Sequence, residues 1–207
     1  MVQIFEDLMT RSIYGIGQNY HDHIKEMGAQ VPTEPVIFLK PASSLLESPS
    51  QIALPSISKN VHYEAELVLK LGEDLNVSEV AIGLDLTARD LQSEAKKKGL
   101  PWSISKGFAG SAVVGNFFKI PKNMKLSSLA LELSINHKVR QKGPTSDMIF
   151  DCAELLRYLS GIFNLESGDL IYTGTPSGVG QLNRGDVINA KLLHNEDIVS
   201  TLDTKIV

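Results

Sequence analysis

The sequence predicts a β-rich α+β fold, and three observations predict it. Apolar and alternating runs of strand length dominate the chain, whereas only three stretches carry helical period. The strands are unevenly spaced rather than alternating one-to-one with helices, which argues against βαβ units. Turn signals at 73–74, 166–169 and 183–186 separate the runs, while no repeat, low-complexity tract or long linker divides them. The 207 residues therefore read as one domain with a substantial core.

The first strand is SIYGIG (12–17). Gly15-Ile16-Gly17 begins like a dinucleotide fingerprint, but Tyr20 stands where a third glycine is needed. A short helix follows over YHDHIKEM (20–27), with Asn19 as its expected cap and Gly28 as its stop. His23 and Glu26 lie three residues apart, so they share a helical face. A histidine oriented by a carboxylate suits a general base near neutral pH; the alternative is an ordinary surface pair. PVIFLKP (35–41) is the next strand, and its Lys40 is a candidate cation for an anionic ligand.

VHYEAELVLKL (61–71) reads as one strand. Tyr63, Ala65, Leu67 and Leu69 then share one face, and His62, Glu64, Glu66 and Val68 the other. The second face is either solvated or aimed at a ligand. Two same-face glutamates repel each other, and no Lys or Arg lies between them in the chain to relieve it. AIGLDLT (81–87) adds Asp85 within a run otherwise fit for burial, where a carboxylate needs a partner. One divalent cation would serve all three. Oxygen donors without His or Cys suit a hard ion, Mg²⁺ or Mn²⁺ first and Ca²⁺ next.

The second helix opens at Thr87-Ala88-Arg89-Asp90, which fits a capping box, and stops at Gly99 before Pro101. Arg89 and Gln92 share one of its faces, and Lys106 follows in the segment SISKGF. Cations beside a metal site can clamp an anionic substrate; plain surface placement is the alternative for each singly. After the strand LALELSIN (129–136), a third helix spans about 151–163, with Leu155, Leu156, Leu159, Ile162 and Phe163 as its buried stripe. DLIYTGT (169–175) is a strand leading into GTPSGVG (174–180). That loop lacks the Lys-Ser/Thr ending of a P-loop but lets backbone come close to a small ligand. DVINAKLL (186–193) and the tail complete the strands.

Composition narrows the function classes. Twenty basic against 24 acidic residues give a net charge of 20 − 24 = −4 without a basic block, so a nucleic-acid partner is not expected. Lys96, Lys97 and Lys98 suit the dipole at a helix end. Cys152 is the only cysteine, which excludes an internal disulfide and a cysteine-based zinc site. Glu6 and Asp7 interrupt any signal-like run at the N-terminus, and no segment approaches the roughly 20 apolar residues of a membrane span. The expectation is a cytoplasmic protein without a membrane partner.

Six motifs in order, GxNYxxHxxEM (17–27), EPVIFLKP (34–41), HYEAEL (62–67), LDLTARDLQ (84–92), KKKGLPWSISKGF (96–108) and TGTPSGVG (173–180), resemble the fumarylacetoacetate hydrolase family. The match is to its acylpyruvate hydrolase and oxaloacetate decarboxylase branch. It covers the chain from about Ile13 to the end, leaving 1–11 as an N-terminal extension. The resemblance implies a mixed β-sandwich roll working as a homodimer. It implies Glu64, Glu66 and Asp85 as ligands of Mg²⁺ or Mn²⁺, and His23 and Glu26 as a catalytic dyad on a short lid helix. Lys106 matches the active-site lysine, and Arg89, Gln92 and Thr175 match substrate contacts.

The implied activity is cleavage of the C–C bond of small acylpyruvates (2,4-dioxo acids) through a pyruvate enolate. Oxaloacetate decarboxylation or keto–enol tautomerisation at the same site is the alternative, and isomerisation or hydration of aromatic-degradation intermediates a further one. A metal-binding scaffold without catalysis is a rival, but it would not require the His23/Glu26 pair on a separate helix. Three departures bear on substrate preference. Gln18 stands where some relatives have Arg, Tyr63 where many have a second His, and the 66–85 stretch is short.

Overall fold

Alternation along the strands builds three sheets among the described residues of a computed structural model, which describes residues 12–207 apart from Met27. The extension 1–11, with Glu6 and Asp7, and Met27 of the first motif lie outside them. In chain order the first strands are β1 (Ile13–Gly17), β2 (Val36–Lys40), β3 (Leu45–Glu47), β4 (Gln51–Ile52) and β5 (Val61–Tyr63). Next come β6 (Ala65–Leu71), β7 (Val77–Asp85), β8 (Thr87–Ala88), β9 (Ala112–Val114) and β10 (Phe118–Lys119). The last are β11 (Leu129–Ile135), β12 (Lys138–Pro144), β13 (Leu170–Tyr172), β14 (Gly180–Gln181), β15 (Val187–His194) and β16 (Asp197–Ile206).

The largest sheet runs β2-β1-β13-β6-β7-β9-β3, with β10 also paired to β7. A second runs β12-β11-β15-β16-β4, and a small third runs β14-β5-β8. Most pairs are antiparallel, but β1/β13, β3/β9 and β4/β16 are parallel, so the architecture is mixed. Leu67, Leu69, Ile82 and Leu84 of the large sheet share one core with Leu131, Leu133, Ile188 and Leu192 of the second. Two sheets packed face to face in this way make a sandwich. The opposite face of the large sheet is also dry: Ile13, Val68, Ala81, Val114, Leu170 and Tyr172 form a separate buried cluster there. The face that carries Glu66 and Val68 is therefore not solvated.

Several elements differ from expectation. The single strand over 61–71 breaks at Glu64, because β5 pairs in the small sheet whereas β6 pairs in the large one. The strand over 169–175 ends at Tyr172, and Thr173 and Thr175 turn their hydroxyls to β6 carbonyls instead. β12 carries KVRQKGP, too polar to read as a strand, and is held by pairing with β11.

The helices are α1 (His21–Glu26), α2 (Arg89–Lys98), α3 (Ser103–Lys106) and α4 (Cys152–Ser160). Asn19 does not act as the expected side-chain cap of α1. Its amide bonds Phe150 O and Thr173 O, and its carbonyl accepts from Phe150 N. The capping box at α2 does not form either, since Thr87 belongs to β8 and its hydroxyl accepts from Lys106. The α2 stop at Gly99 is as read. In α4, Asp151 caps through Glu154 N at 2.8 Å, and Leu155 and Leu159 are buried. The helix ends at Ser160, so Ile162 leaves the stripe and is 56% exposed. Among the described residues no helix is long and apolar enough to cross a membrane.

Candidate active site and metal centre

The break at Glu64 makes the site. β6 and β7 pair with Ala65 opposite Leu84, and Asp85 N then donates to Glu64 O at 2.9 Å. Asp85, at the end of β7, is thereby brought beside Glu64, with Glu66 one pleat further along β6. The Ala65 backbone, freed at the break, finds side-chain partners: its N–H donates to Gln141 Oε1 at 2.9 Å, and its carbonyl accepts from Thr175 Oγ1 at 2.8 Å. Gln141 Nε2 closes the ring by donating to Thr175 Oγ1 and to Pro176 O. Sequence reasoning missed Gln141, because its strand was not recognised.

Glu64, Glu66 and Asp85 are all buried, and one carboxylate oxygen from each lies within 4.8 Å of the others. Cations absent from the neighbouring sequence arrive from elsewhere in the fold. Lys106 Nζ donates to Glu64 Oε2 at 2.7 Å, Asp85 Oδ2 at 2.5 Å and Thr87 Oγ1 at 2.7 Å, and stands 4.7 Å from the Phe38 ring centroid. Arg89 reaches Glu64 Oε1 with one nitrogen and Gln92 Oε1, at 2.7 Å, with another. Lys40 Nζ lies 2.7 Å from Asp85 Oδ1 as a buried ion pair. Lys40 has no exposed side-chain surface, which corrects the reading of it as a cation for an anionic ligand.

These charges set the protonation of the site. Burial alone would raise the Glu64 carboxyl, but Lys106 and Arg89 outweigh it and hold it well below the usual carboxylate range. Glu66 goes the other way. Burial, then the charges of Asp85 and Glu64, raise it well above that range, despite Lys106 and the Gly174 N–H at 2.7 Å. Burial would lower Lys106, yet Asp85 and Glu64 raise it. Three hard oxygen donors within 4.8 Å of one another, one of them short of positive charge, fit a divalent cation.

The helix residues come to the same place. His23 is buried, and its Nδ1 stands 3.2 Å from Glu26 Oε2, a pairing that the i,i+3 spacing anticipated. Its imidazole is also within electrostatic reach of Glu64. Glu26 in turn accepts from Gly178 N at 3.1 Å, tying α1 to the 174–180 loop. Thr175 is buried with its hydroxyl committed to Ala65 and Gln141. Every sequence-predicted site residue thus falls in or beside one cluster. A site of this kind offers a paired imidazole, an ammonium and three carboxylates, and a cation held by the carboxylates would stabilise negative charge beside them.

The fumarylacetoacetate (FAA) hydrolase C-terminal family model matches residues 12–207. The mitochondrial oxaloacetate decarboxylase of Dictyostelium discoideum is 44% identical over 189 residues, covering 86% of this chain and 87% of that protein. The mitochondrial oxaloacetate tautomerase FAHD1 of Bos taurus is 42% identical over 190 residues, covering 87% and 86%. Among solved structures, fumarylpyruvate hydrolase from Pseudomonas aeruginosa, in complex with Mn²⁺ and pyruvate, superposes with a TM-score of 0.87 at 33% identity, covering 96% of this chain and 90% of that one. A match along nearly all of the described chain, on a mixed β-sandwich roll, means that the chain belongs to the fumarylacetoacetate hydrolase family, of the C-terminal-domain type.

Proposed function

We propose that this chain is a divalent-metal-dependent enzyme that forms the enolate of a small 2-oxo acid, with oxaloacetate as substrate and keto–enol tautomerisation or decarboxylation as reaction. The observation that carries the reading is the meeting of Glu64, Glu66 and Asp85 in one buried cluster beside the His23–Glu26 pair. The names of the relatives more than 40% identical support oxaloacetate. Glu64, Glu66 and Asp85 would hold Mg²⁺ or Mn²⁺, which when bound supplies Lewis acidity next to a carbonyl oxygen.

The other groups act as a proton carrier and a charge clamp. Glu26 orients His23, whose imidazole moves the proton at carbon 3 in tautomerisation. Lys106 stabilises negative charge developing on the enolate oxygen. Arg89 and Gln92 position the carboxylate end, and Thr175, its hydroxyl committed to Ala65 and Gln141, fixes the loop beside them. Decarboxylation uses the same charge stabilisation as the bond to the departing CO₂ breaks. A second reading, hydrolysis of acylpyruvates, is favoured by the same His23–Glu26 pair, because a carboxylate-oriented imidazole can take a proton from water for attack on the distal acyl carbonyl. A cytoplasmic homodimer belongs to the proposal as well, and sedimentation of the purified chain tests the dimer.

The deciding experiment is a set of steady-state rates on enol-oxaloacetate, keto-oxaloacetate and acetylpyruvate, with Mg²⁺, with Mn²⁺ and after EDTA. Metal-dependent turnover of oxaloacetate is expected. Rapid cleavage of acetylpyruvate with no activity on oxaloacetate would replace the first reading with the second. His23→Ala should abolish acetylpyruvate cleavage while sparing part of the decarboxylation, and equal loss of both would remove the water-activating role. Glu64→Ala should abolish all metal-dependent turnover.

A further inference from the structure

Lys40, at the end of β2, reaches Asp85 from within the core. Its side chain has no exposed surface, and its ammonium faces three oxygens: Asp85 Oδ1 at 2.7 Å, Ser111 O at 3.0 Å and Lys106 O. The Lys106 carbonyl is held a second time by Ser111 Oγ at 2.7 Å. Lys106 sends its own Nζ to the other oxygen of Asp85. Asp85 is therefore gripped on both oxygens by two lysines, and Lys40 fixes the main chain of the second as well as the carboxylate itself. A buried ion pair of this kind is weak evidence for stability, because apolar residues of similar volume often serve as well. Its arrangement points instead to orientation.

We propose that Lys40 is a positioning residue of the metal centre, presenting Asp85 to the space shared with Glu64 and Glu66 and registering Lys106 against the same carboxylate. The proposal rests on the metal-centre reading above and is independent of which 2-oxo acid is turned over. It also has a sign that separates it from simple electrostatics. A cation acting only by repulsion would weaken binding of a divalent ion, so its removal would tighten binding. A cation acting by orientation strengthens binding, so its removal weakens it.

The test is titration of the EDTA-stripped full-length chain with Mn²⁺ alone, followed by calorimetry, for wild type, Lys40→Met and Lys40→Gln. Loss of an outer partner of a metal ligand typically lowers affinity about 10–100-fold, and that loss is expected for both variants. Mn²⁺ binding as tight as wild type, or tighter, in a folded variant overturns the proposal. Should the Met variant fail to fold, the Gln variant decides, since its amide can still donate to the carbonyls. At saturating Mn²⁺, kcat on oxaloacetate is expected to fall with KM within about twofold, because the fully buried Nζ is committed to Asp85, Ser111 O and Lys106 O. Wild type that binds Mn²⁺ but leaves oxaloacetate unchanged would defeat the substrate reading and leave the Mn²⁺ comparison intact.

Discussion

Glu66 accepts a hydrogen bond from Gly174 N, but among the described residues no lysine or arginine pairs with it, whereas Glu64 is met by both Lys106 and Arg89. Burial and the neighbouring Asp85 and Glu64 charges consequently keep its carboxyl above the usual range. Between the unfolded pKa and the raised folded one, the metal-free protein then holds a proton that the unfolded chain has lost. The associated stability is fully present below the unfolded pKa and lost as pH rises through the folded one. Without metal, the thermal midpoint should accordingly fall over that window. Binding of Mn²⁺ should expel the proton and reverse the trend. Calorimetric titrations in two buffers of different ionisation enthalpy will report the released proton, and Glu66→Gln should abolish the release. An identical apparent enthalpy in both buffers for wild type would contradict this. The three acids were legible from sequence because strand period put two on one face and the third sat in an apolar run. Lys40, Arg89 and Lys106 were legible as candidate cations, but their pairing with these acids was not, since they come from separate elements whose convergence no local pattern records.

Boundaries of elements were read unevenly, and the reason is visible at α2. Its C-terminal stop is a local property of Gly99, so sequence places it correctly. Its start is decided by tertiary pairing, because Thr87 is drawn into β8 opposite His62 and cannot cap the helix. Asp90 takes over the local order there. Its carboxylate accepts from Ser58 Oγ at 2.6 Å, Lys59 N at 3.0 Å and Leu91 N at 2.9 Å, tying the 58–59 turn to the first turn of α2. Partial burial works against the charged form, but these three donors prevail and hold the carboxyl below its ordinary value. A depressed carboxylate contributes stability above its unfolded pKa of about 3.9, and that contribution is lost as pH falls through the folded value. Asp90→Asn should therefore cost about 1 kcal/mol at pH 7, discounted for partial exposure. The gap to wild type should narrow as pH falls below the unfolded pKa of about 3.9 and close once it passes the folded value, as followed by thermal denaturation. A gap independent of pH would mean that the carboxylate charge is not what holds the turn. The strand break at Glu64 has the same origin as the missed cap: two sheets compete for one run, and only the assembled fold shows which residue is left between them.

Across the molecule, the large sheet, the second sheet, the small sheet and α1 meet at the loop between β13 and β14. Thr175 bonds Ala65 of β6, Gln141 of β12 bonds Thr175 and Pro176, Gly180 pairs with Tyr63, and Glu26 of α1 accepts from Gly178 N. The sequence suggests only that this glycine-rich loop lets backbone approach something closely. What it approaches is the protein itself: a Cβ on Gly178 would stand 2.0 Å from Arg140 O, at a φ of +97°. A cavity of about 660 Å³ opens beside it, lined by Tyr63, Arg140 and Gly178 among others. Gly178→Ala must push the loop off β12 and take the anchor of Glu26 with it, while Glu64, Glu66 and Asp85, set by the pairing of β6 with β7, meet the loop only at its near end, through Gly174 and Thr175. We expect a loss of about 1–3 kcal/mol in stability. A fall of roughly 100-fold in kcat/KM should accompany it, since a misplacement near 1 Å has that effect on a positioned catalytic group. Mn²⁺ affinity should stay near the wild-type value. Gly185 supplies the control, because its φ of +93° imposes comparable backbone strain but a Cβ there meets nothing within 4 Å. Gly185→Ala should lose stability and keep its activity. Equal loss of activity in the two variants would trace the effect to general destabilisation. Loss confined to Gly178→Ala would mean that the register between β12, the loop and α1 holds the His23–Glu26 pair in place.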